Sequence, residues 1–342
     1  MRAVTTLKDA VVVVTGASAG IGRATALAFA DKGAAVALVA RRKEVLEDVA
    51  EECRARGVEA LALPADVADA EAVDEVAREV AGRFGRIDVW VNNAGVNLFA
   101  RIEDAPVNAW YRVIETNLFG AYHGMRAALP WMREQGSGVI INVSSLLGKM
   151  GSPFMSSYVA SKHGMRALSD CVRQELLDAP DIEVCTVLPG PVDTPLFDEG
   201  GNYTGREVKP IRPVIPAERV AATIVSCAAR PRREAIVGAS TALGLGFRRI
   251  VPGLTERVAA MQISKEHFGE GIRPPTSGKI FEPVEGGAAI SGGWTRSAAK
   301  VSPDDPRTAS GGTSARRGRW VVLGALAAAG AGIAAAARGR KS

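Results

Sequence analysis

Aromatic residues make up only 5% of this 342-residue chain, and histidine occurs three times. So few rings argue against a β-sandwich built on large inward side chains, and the abundant Ala and Gly favour helices packed closely on a sheet. The four cysteines, Cys53, Cys171, Cys185 and Cys227, form no C-x-x-C pair and share no zinc-type spacing with histidine. Reduced, mostly buried thiols and no metal site are the expectation. No secretory leader is expected either. The chain reaches its first strand-like run within about ten residues, with no apolar segment or cleavage site ahead of it, so a cytoplasmic catalytic domain is expected.

Neither sign of charge dominates the main body. The net charge is +5, yet nine Lys/Arg against Asp304 and Asp305 put Ser291–Ser342 at +7 and leave residues 1–290 at −2. The basic character belongs to the tail, which excludes an electrostatic case for nucleic-acid binding by the main domain.

What is present is apolar: 47% of residues are hydrophobic. Strand-length runs at Val11–Thr15, Ala35–Ala40, Ala60–Leu63, Asp88–Val91, Val139–Val143, Glu183–Leu188 and Glu234–Val237 alternate with helical patterns such as Gly20–Asp31 and Glu44–Arg56. Strands this apolar, alternating with helices, predict an α/β fold with a doubly wound parallel sheet of the Rossmann kind. The expected organisation is a catalytic domain over residues 1–250 and an extension over 251–290, with a helix at Val251–Gln262. A Gly/Pro/Ser-rich flexible linker over 291–319 and a tail helix over 320–337 follow. Trp320–Ala337 has 18 uncharged residues, at the short end for a membrane span, and small residues at Gly324, Ala328 and Gly332 suit close helix pairing in a bilayer. A C-terminal membrane anchor is one reading; an Ala-rich helix on a partner protein is the other.

The first strand runs into Thr15-Gly16-Ala17-Ser18-Ala19-Gly20-Ile21-Gly22. Glycines there permit a tight turn and close approach of a pyrophosphate, and the following helix offers its N-terminus to that anion. At the end of the second strand, where an acidic residue would hold an adenosine ribose, stand Arg41, Arg42 and Lys43. Guanidinium groups bind a 2′-phosphate through charge-assisted hydrogen bonds, so NADP(H) is expected over NAD(H), with Arg41 as ligand and Arg42 as a second. Arg42 and Lys43 can equally be the solvated start of a helix.

Ser144-Ser145 follow the fifth run, Tyr158 lies thirteen residues after Ser145, and Lys162 four after that. Tyr158 and Lys162 share one helix face. Taken with the glycine loop, this order of motifs resembles the short-chain dehydrogenases/reductases over roughly residues 8–240, in the compact branch with a TGxxxGxG loop and a YxxxK pair. Thr15–Gly22 is similar to the family's loop, Asp66-Val67 to its adenine-contacting position and Asn92-Asn93-Ala94-Gly95 to its NNAG motif. Asn117, Ser145, Tyr158 and Lys162 are similar to its catalytic positions, and Pro189-Gly190 through Val192 to Thr194 to its PGxxxT segment near the nicotinamide.

The resemblance implies a cofactor site of Gly16, Ser18, Ala19, Gly20, Ile21, Gly22, Arg41, Arg42, Asp66, Val67, Asn93, Ala94, Gly95, Tyr158, Lys162, Pro189, Gly190, Val192 and Thr194. Ala19 stands where many NADP-using relatives carry a basic residue, so the NADP(H) preference rests on Arg41. The resemblance also implies that Tyr158 is the general acid/base, with its pKa lowered by the Lys162 ammonium and the oxidised nicotinamide. Ser145 would polarise the substrate oxygen, Asn117 would place a water, and Lys162 would hold the nicotinamide ribose. Ser144 is an alternative to Ser145, though the spacing favours the latter. His123, His163 and His267 match no catalytic position. Residues 195–216, with Phe197, Tyr203 and Ile211, would form a lid over the substrate. The expected substrate is an apolar small-molecule carbonyl/alcohol pair, and the expected state a homo-oligomer. Two other functions compete. A nucleotide-sugar epimerase/dehydratase usually has a shorter TGxxGxxG loop and a larger C-terminal domain. A non-enzymatic NADP(H)-binding, membrane-tethered sensor or scaffold would need none of the proton-relay residues.

Overall fold

Valines at alternate positions set the architecture. In β1 (Val11–Thr15), Val12 and Val14 enter a core on one face of the sheet, and Val11 and Val13 enter a second core on the other. A strand's side chains alternate in direction, so a run apolar at every position must be covered on both sides. The inner strands β2 (Ala35–Ala40), β4 (Val89–Asn92), β5 (Gly138–Val143) and β6 (Ile182–Pro189) are likewise covered on both sides, whereas the edge strands β3 (Ala60–Pro64) and β7 (Glu234–Val237) are partly open, with Ile236 exposed. In this computed structural model, which describes residues 7–238, 261, 263, 266–284 and 288–295, the seven strands pair in parallel in the order β7-β6-β5-β4-β1-β2-β3.

The first face is covered by α1 (Gly20–Ala30), α2 (Lys43–Arg54) and α7 (Ala217–Ala229), through residues such as Phe29, Leu46 and Ile224. The second is covered by α3 (Ala70–Phe84), α5 (Gly120–Gln135) and α6 (Ser156–Glu175), through Val80, Met132 and Val172. Asp69 caps α3 by accepting from the Glu71 and Ala72 amides, and Gly85 ends it in the left-handed region. Between α4 (Val107–Ile114) and α5 the chain makes a π-helical turn, Glu115–Phe119.

Two features of this framework position the site. Strand order reverses between β1 and its neighbours β2 and β4, so a crevice opens at their carboxyl ends, where ligands bind in such sheets. A buried polar ladder also ties the middle of the sheet to the helices. Trp90 Nε1 donates to Asn92 Oδ1, Asn92 Nδ2 to Asn142 Oδ1 and Asn142 Nδ2 to Ser169 Oγ, each at 2.8 Å. Gly124 lets α5 approach this ladder, because a Cβ there would lie 2.1 Å from Asn92 Oδ1.

Cys53, Cys185 and Cys227 are buried free thiols and Cys171 is an exposed one. Among the described residues no group of His, Cys, Asp or Glu is placed to hold a metal, and no helix is long and apolar enough to cross a membrane. The expected helix at Val251–Gln262, apart from the helical Met261, and the tail Trp320–Ala337 lie outside the described residues. One expectation is corrected: the first residues of the expected linker, 291–295, are held in place, as is the extension before them. Phe268–Ile272 pairs antiparallel with Arg206–Val208, and residues 291–295 bond to Asp193. Composition misses this because strand pairing and hydrogen bonds to Asp193, with a few apolar anchors such as Phe268 and Ile280, hold a segment otherwise rich in Gly, Pro and Ser.

Candidate active site

The glycine loop leaves β1 through Gly16, at φ +67°, and enters α1 through Gly20, at φ +54°. Both angles lie where glycine is favoured. A Cβ on Gly22 would sit 2.0 Å from the Gly16 carbonyl, so the loop folds onto bare backbone. Thr15 and Asn93 pin it to β4. Thr15 Oγ1 donates to the Val91 carbonyl and accepts from the Asn93 and Ala94 amides. Asn93 Nδ2 donates to the carbonyls of Thr15 and Gly16. Asn93 therefore shapes the loop, and its side-chain amide is engaged there. No side chain caps α1, which leaves the N–H groups at its start to other acceptors. Across the crevice, β6 ends at Pro189, Gly190 donates to Val237, and Val192 pairs with Ile215. Thr194 reaches the loop, within 3.1 Å of a Cβ built on Gly20. Ser18, Ala19 and Ile21 are half-buried along the same edge.

The adenosine end differs from expectation. Arg41 donates to the Phe281 carbonyl at 2.6 Å and the Lys279 carbonyl at 2.8 Å, and Arg42 donates to the Val284 carbonyl at 2.8 Å. The two guanidinium groups assigned to a 2′-phosphate are thus engaged by the chain's own C-terminal extension. Burial pushes the Arg41 pKa down, with the Asp66 carboxylate opposing it. Asp66 is paired with Arg112 and accepts from the Ala68 amide. Val67 is buried under α5, where a Cβ on Gly120 would meet Val67 Cγ2 at 2.6 Å.

The four catalytic candidates come together. Ser145 caps a turn of 3-10 helix by accepting from the Leu147 amide at 3.1 Å, and it hydrogen-bonds Tyr158. Ser144 instead donates to the Lys162 carbonyl at 3.0 Å, deep in the protein. The choice that spacing favours is therefore the one that meets Tyr158. Lys162 Nζ lies 5.6 Å from the Tyr158 ring centroid and donates to the Val143 carbonyl at 2.8 Å. Gly95 lets Asn117 and Lys162 converge: a Cβ there would lie 3.3 Å from Asn117 Oδ1 and 3.8 Å from Lys162 Nζ. Asn117 sits in the π-helical turn, a distortion common at functional sites. Its Oδ1 accepts from the Val96 amide, and its Nδ2 donates to the Val96 carbonyl and Ser161 Oγ. Ser161, which sequence reasoning missed, also donates to the Tyr158 carbonyl at 2.7 Å. Its only signal is its place one residue before Lys162.

The electrostatics run against one expectation. Burial raises Tyr158 to about 12, with the Ser145 hydrogen bond opposing, and pushes Lys162 down to about 8. Lys162 directs its proton to Val143 rather than to the phenol oxygen, and the dominant influence on both groups is desolvation.

Tyr158 borders two apolar clusters. One holds Val96, Leu98, Ala109, Val113 and Ile280; the other holds Phe99, Met155, Val208 and Phe268, with Leu147, Phe154 and Phe197 against it. His267 is buried within this aromatic wall, at 5.3 Å from Phe99 and 5.8 Å from Phe268 between centroids, and burial pushes its pKa down to about 4. Residues 195–216 are not a free loop, since Arg206–Val208 pairs with the extension and Tyr203 packs beside Ile280.

A family model described as short chain dehydrogenase matches residues 10–202. The chain is 33% identical to an uncharacterized oxidoreductase, YxnA, of Bacillus subtilis over 85% of its own length and 83% of the relative's. It is 34% identical to dehydrogenase/reductase SDR family member 7B of Bos taurus, over 76% and 83% respectively. Among solved structures, the alcohol dehydrogenase of the archaeon Thermococcus sibiricus complexed with 5-hydroxy-NADP is similar at a TM-score of 0.59 and 32% identity, covering 67% of this chain and 95% of that one.

Proposed function

This chain belongs to the short-chain dehydrogenase family, an oxidoreductase acting on a CH–OH group or its carbonyl, and on that premise we propose an NADP(H)-dependent enzyme interconverting a ketone or aldehyde and an alcohol. The observation that carries the reading is the Tyr158 hydroxyl held by Ser145 beside the buried Lys162. The crevice suits a dinucleotide: its floor is bare backbone at Gly16 and Gly22, and α1 starts without a side-chain cap. Gly16, Ser18, Gly20, Ile21 and Thr194 would hold the pyrophosphate side, Asp66 and Val67 the adenine, and Lys162 the nicotinamide ribose. When bound, the nicotinamide supplies or accepts the hydride.

The protein's part is to place and to protonate. Ser145 holds the substrate oxygen. Tyr158, kept protonated by burial, gives that oxygen a proton as the carbonyl becomes an alcohol, which suits the reductive direction. Asn117 and Ser161 fix the backbone around Val96 and Tyr158. The apolar wall of Leu147, Phe154, Met155, Phe197 and Phe268 supports an apolar substrate. The test is NADPH and NADH oxidation with a panel of ketones and aldehydes. NADPH should be preferred, and Tyr158→Phe should lower turnover by about a hundredfold or more with cofactor binding unchanged. Near-normal turnover of that variant, or activity confined to small acids or sugars, refutes the reading.

Two further parts belong to the proposal. Val107 and Tyr111 on α4, Phe119 in the π-helical turn and Tyr122 on α5 are exposed, apolar surface of the sort that pairs copies of a chain. The tail Trp320–Ala337 would tether the enzyme to a membrane; a full-length protein wholly soluble without detergent removes that part.

A further inference from the structure

The groove assigned to the dinucleotide is crossed by the chain's own C-terminal extension. The crossing begins at a firm anchor. Ile280 is fully buried among Val96, Leu98, Ala109 and Val113. From there the extension meets the adenosine end, where the Lys279 and Phe281 carbonyls take Arg41 and the Val284 carbonyl takes Arg42. Residues 288–295 then run along the pyrophosphate end. The Ala289 carbonyl accepts from the Gly20 amide at 3.0 Å, and the Ala288 carbonyl accepts from Arg23. The far end is held differently. Asp193 accepts from Ser291 Oγ at 2.8 Å, the Trp294 amide at 2.9 Å, the Thr295 amide at 3.2 Å and Thr295 Oγ1. Trp294 packs edge-on against Phe197 at 6.3 Å.

We propose that residues 279–284 and 288–295 are a strap that occupies the dinucleotide groove, so that cofactor enters only when the strap lifts. The inference rests on the cofactor reading above and adds to it. Three donors expected to face cofactor phosphates, Arg41, Arg42 and the Gly20 amide, all face strap carbonyls. The strap's two ends have different strengths. Ile280 is an apolar anchor in a packed core, whereas the Asp193 end is a cluster of hydrogen bonds to exposed Ser291 and Thr295. Individual hydrogen bonds contribute modestly, so Asp193 is the latch and Ile280 the hinge.

The test uses the full chain with Ser291→Ala and Thr295→Val together, which removes two hydroxyl donors to Asp193 from exposed positions. Asp193→Asn, on the groove side, is the independent second variant. Two measurements are made. In protein free of dinucleotide, amide hydrogen exchange at Gly20 should show protection in the wild type and exchange about tenfold faster or more in both variants. By stopped-flow fluorescence, NADPH and NADH association should quicken by about tenfold or more, with release little altered. A Gly20 amide unprotected in the wild type, or rates unchanged in both variants, overturns the strap. If neither dinucleotide binds to any of the three proteins, the cofactor reading fails and the gate falls with it. Binding with unaltered rates removes the gate alone.

Discussion

Lys162 offers the most direct test of the site's electrostatics. It is 3% exposed, and burial takes its pKa from an ordinary 10.5 down to about 8. Below pH 8 the ammonium is charged both folded and unfolded, and the folded state carries the whole cost of burying it. Between about 8 and 10.5 the unfolded chain holds the proton that the folded chain has released, so stability rises with pH across that window. The full depression corresponds to about 3 kcal/mol at 1.36 kcal/mol per tenfold change in acidity. Between pH 7 and pH 9.5 about 2 kcal/mol of it should be recovered. Tyr158 acts in the opposite sense, because its raised pKa makes stability fall from pH 10 toward 12, so the comparison ends at 9.5. Urea denaturation of wild type and Lys162→Met over that range isolates the effect. The stability difference should move by about 2 kcal/mol in favour of the wild type as pH rises. Parallel curves would refute a buried, depressed Lys162.

Gly22→Ala should destabilise the protein by about 1–3 kcal/mol, despite alanine's better helix propensity, because its Cβ meets the Gly16 carbonyl at 2.0 Å. Equilibrium titration should also show dinucleotide binding abolished; a variant that still binds it tightly counts against the loop as a cradle. His267→Phe should raise the melting temperature. The His267 ring is buried among Phe99, Phe197 and Phe268, and neither ring nitrogen makes a well-formed hydrogen bond; poorly satisfied buried groups cost about 1–3 kcal/mol. A lower melting temperature would mean that the imidazole contributes something the phenyl ring does not.

The sheet was readable from the sequence because its strands are apolar on both faces. A run such as Val11–Thr15 leaves no choice of environment, and its alternation with helical patterns implies parallel pairing. Boundaries moved by only a residue or so: β3 extends to Pro64 and β4 to Asn92. Ser145, Tyr158 and Lys162 stand out as candidates because their spacing is local and their chemistry resides in the side chain, and Gly16 because its turn needs a residue without one. What escaped has the opposite character. The strap meets Arg41, Arg42 and Gly20 through carbonyl groups, which every residue possesses, so the sequence around Arg41 does not signal it. The direction of the Tyr158 shift depends on desolvation, which belongs to the packed fold and not to the i, i+4 spacing with Lys162. The π-helical turn carries no proline or glycine to mark it.

That turn has a consequence for insertions and deletions. A helix advances about 100° per residue, and Glu115–Phe119 contains, in effect, one residue more than a regular α-helix would use. Deleting one residue there would let α4 and α5 join as an unbroken helix while turning everything beyond by about 100°. Gly124 would then swing away from Asn92, and a neighbour bearing a side chain would be driven into the 2.1 Å gap that only glycine tolerates. The bulge therefore fixes the reading frame of α5 against the sheet. Chain length between Asn117 and Gly124 should be constrained even where side-chain identity is not.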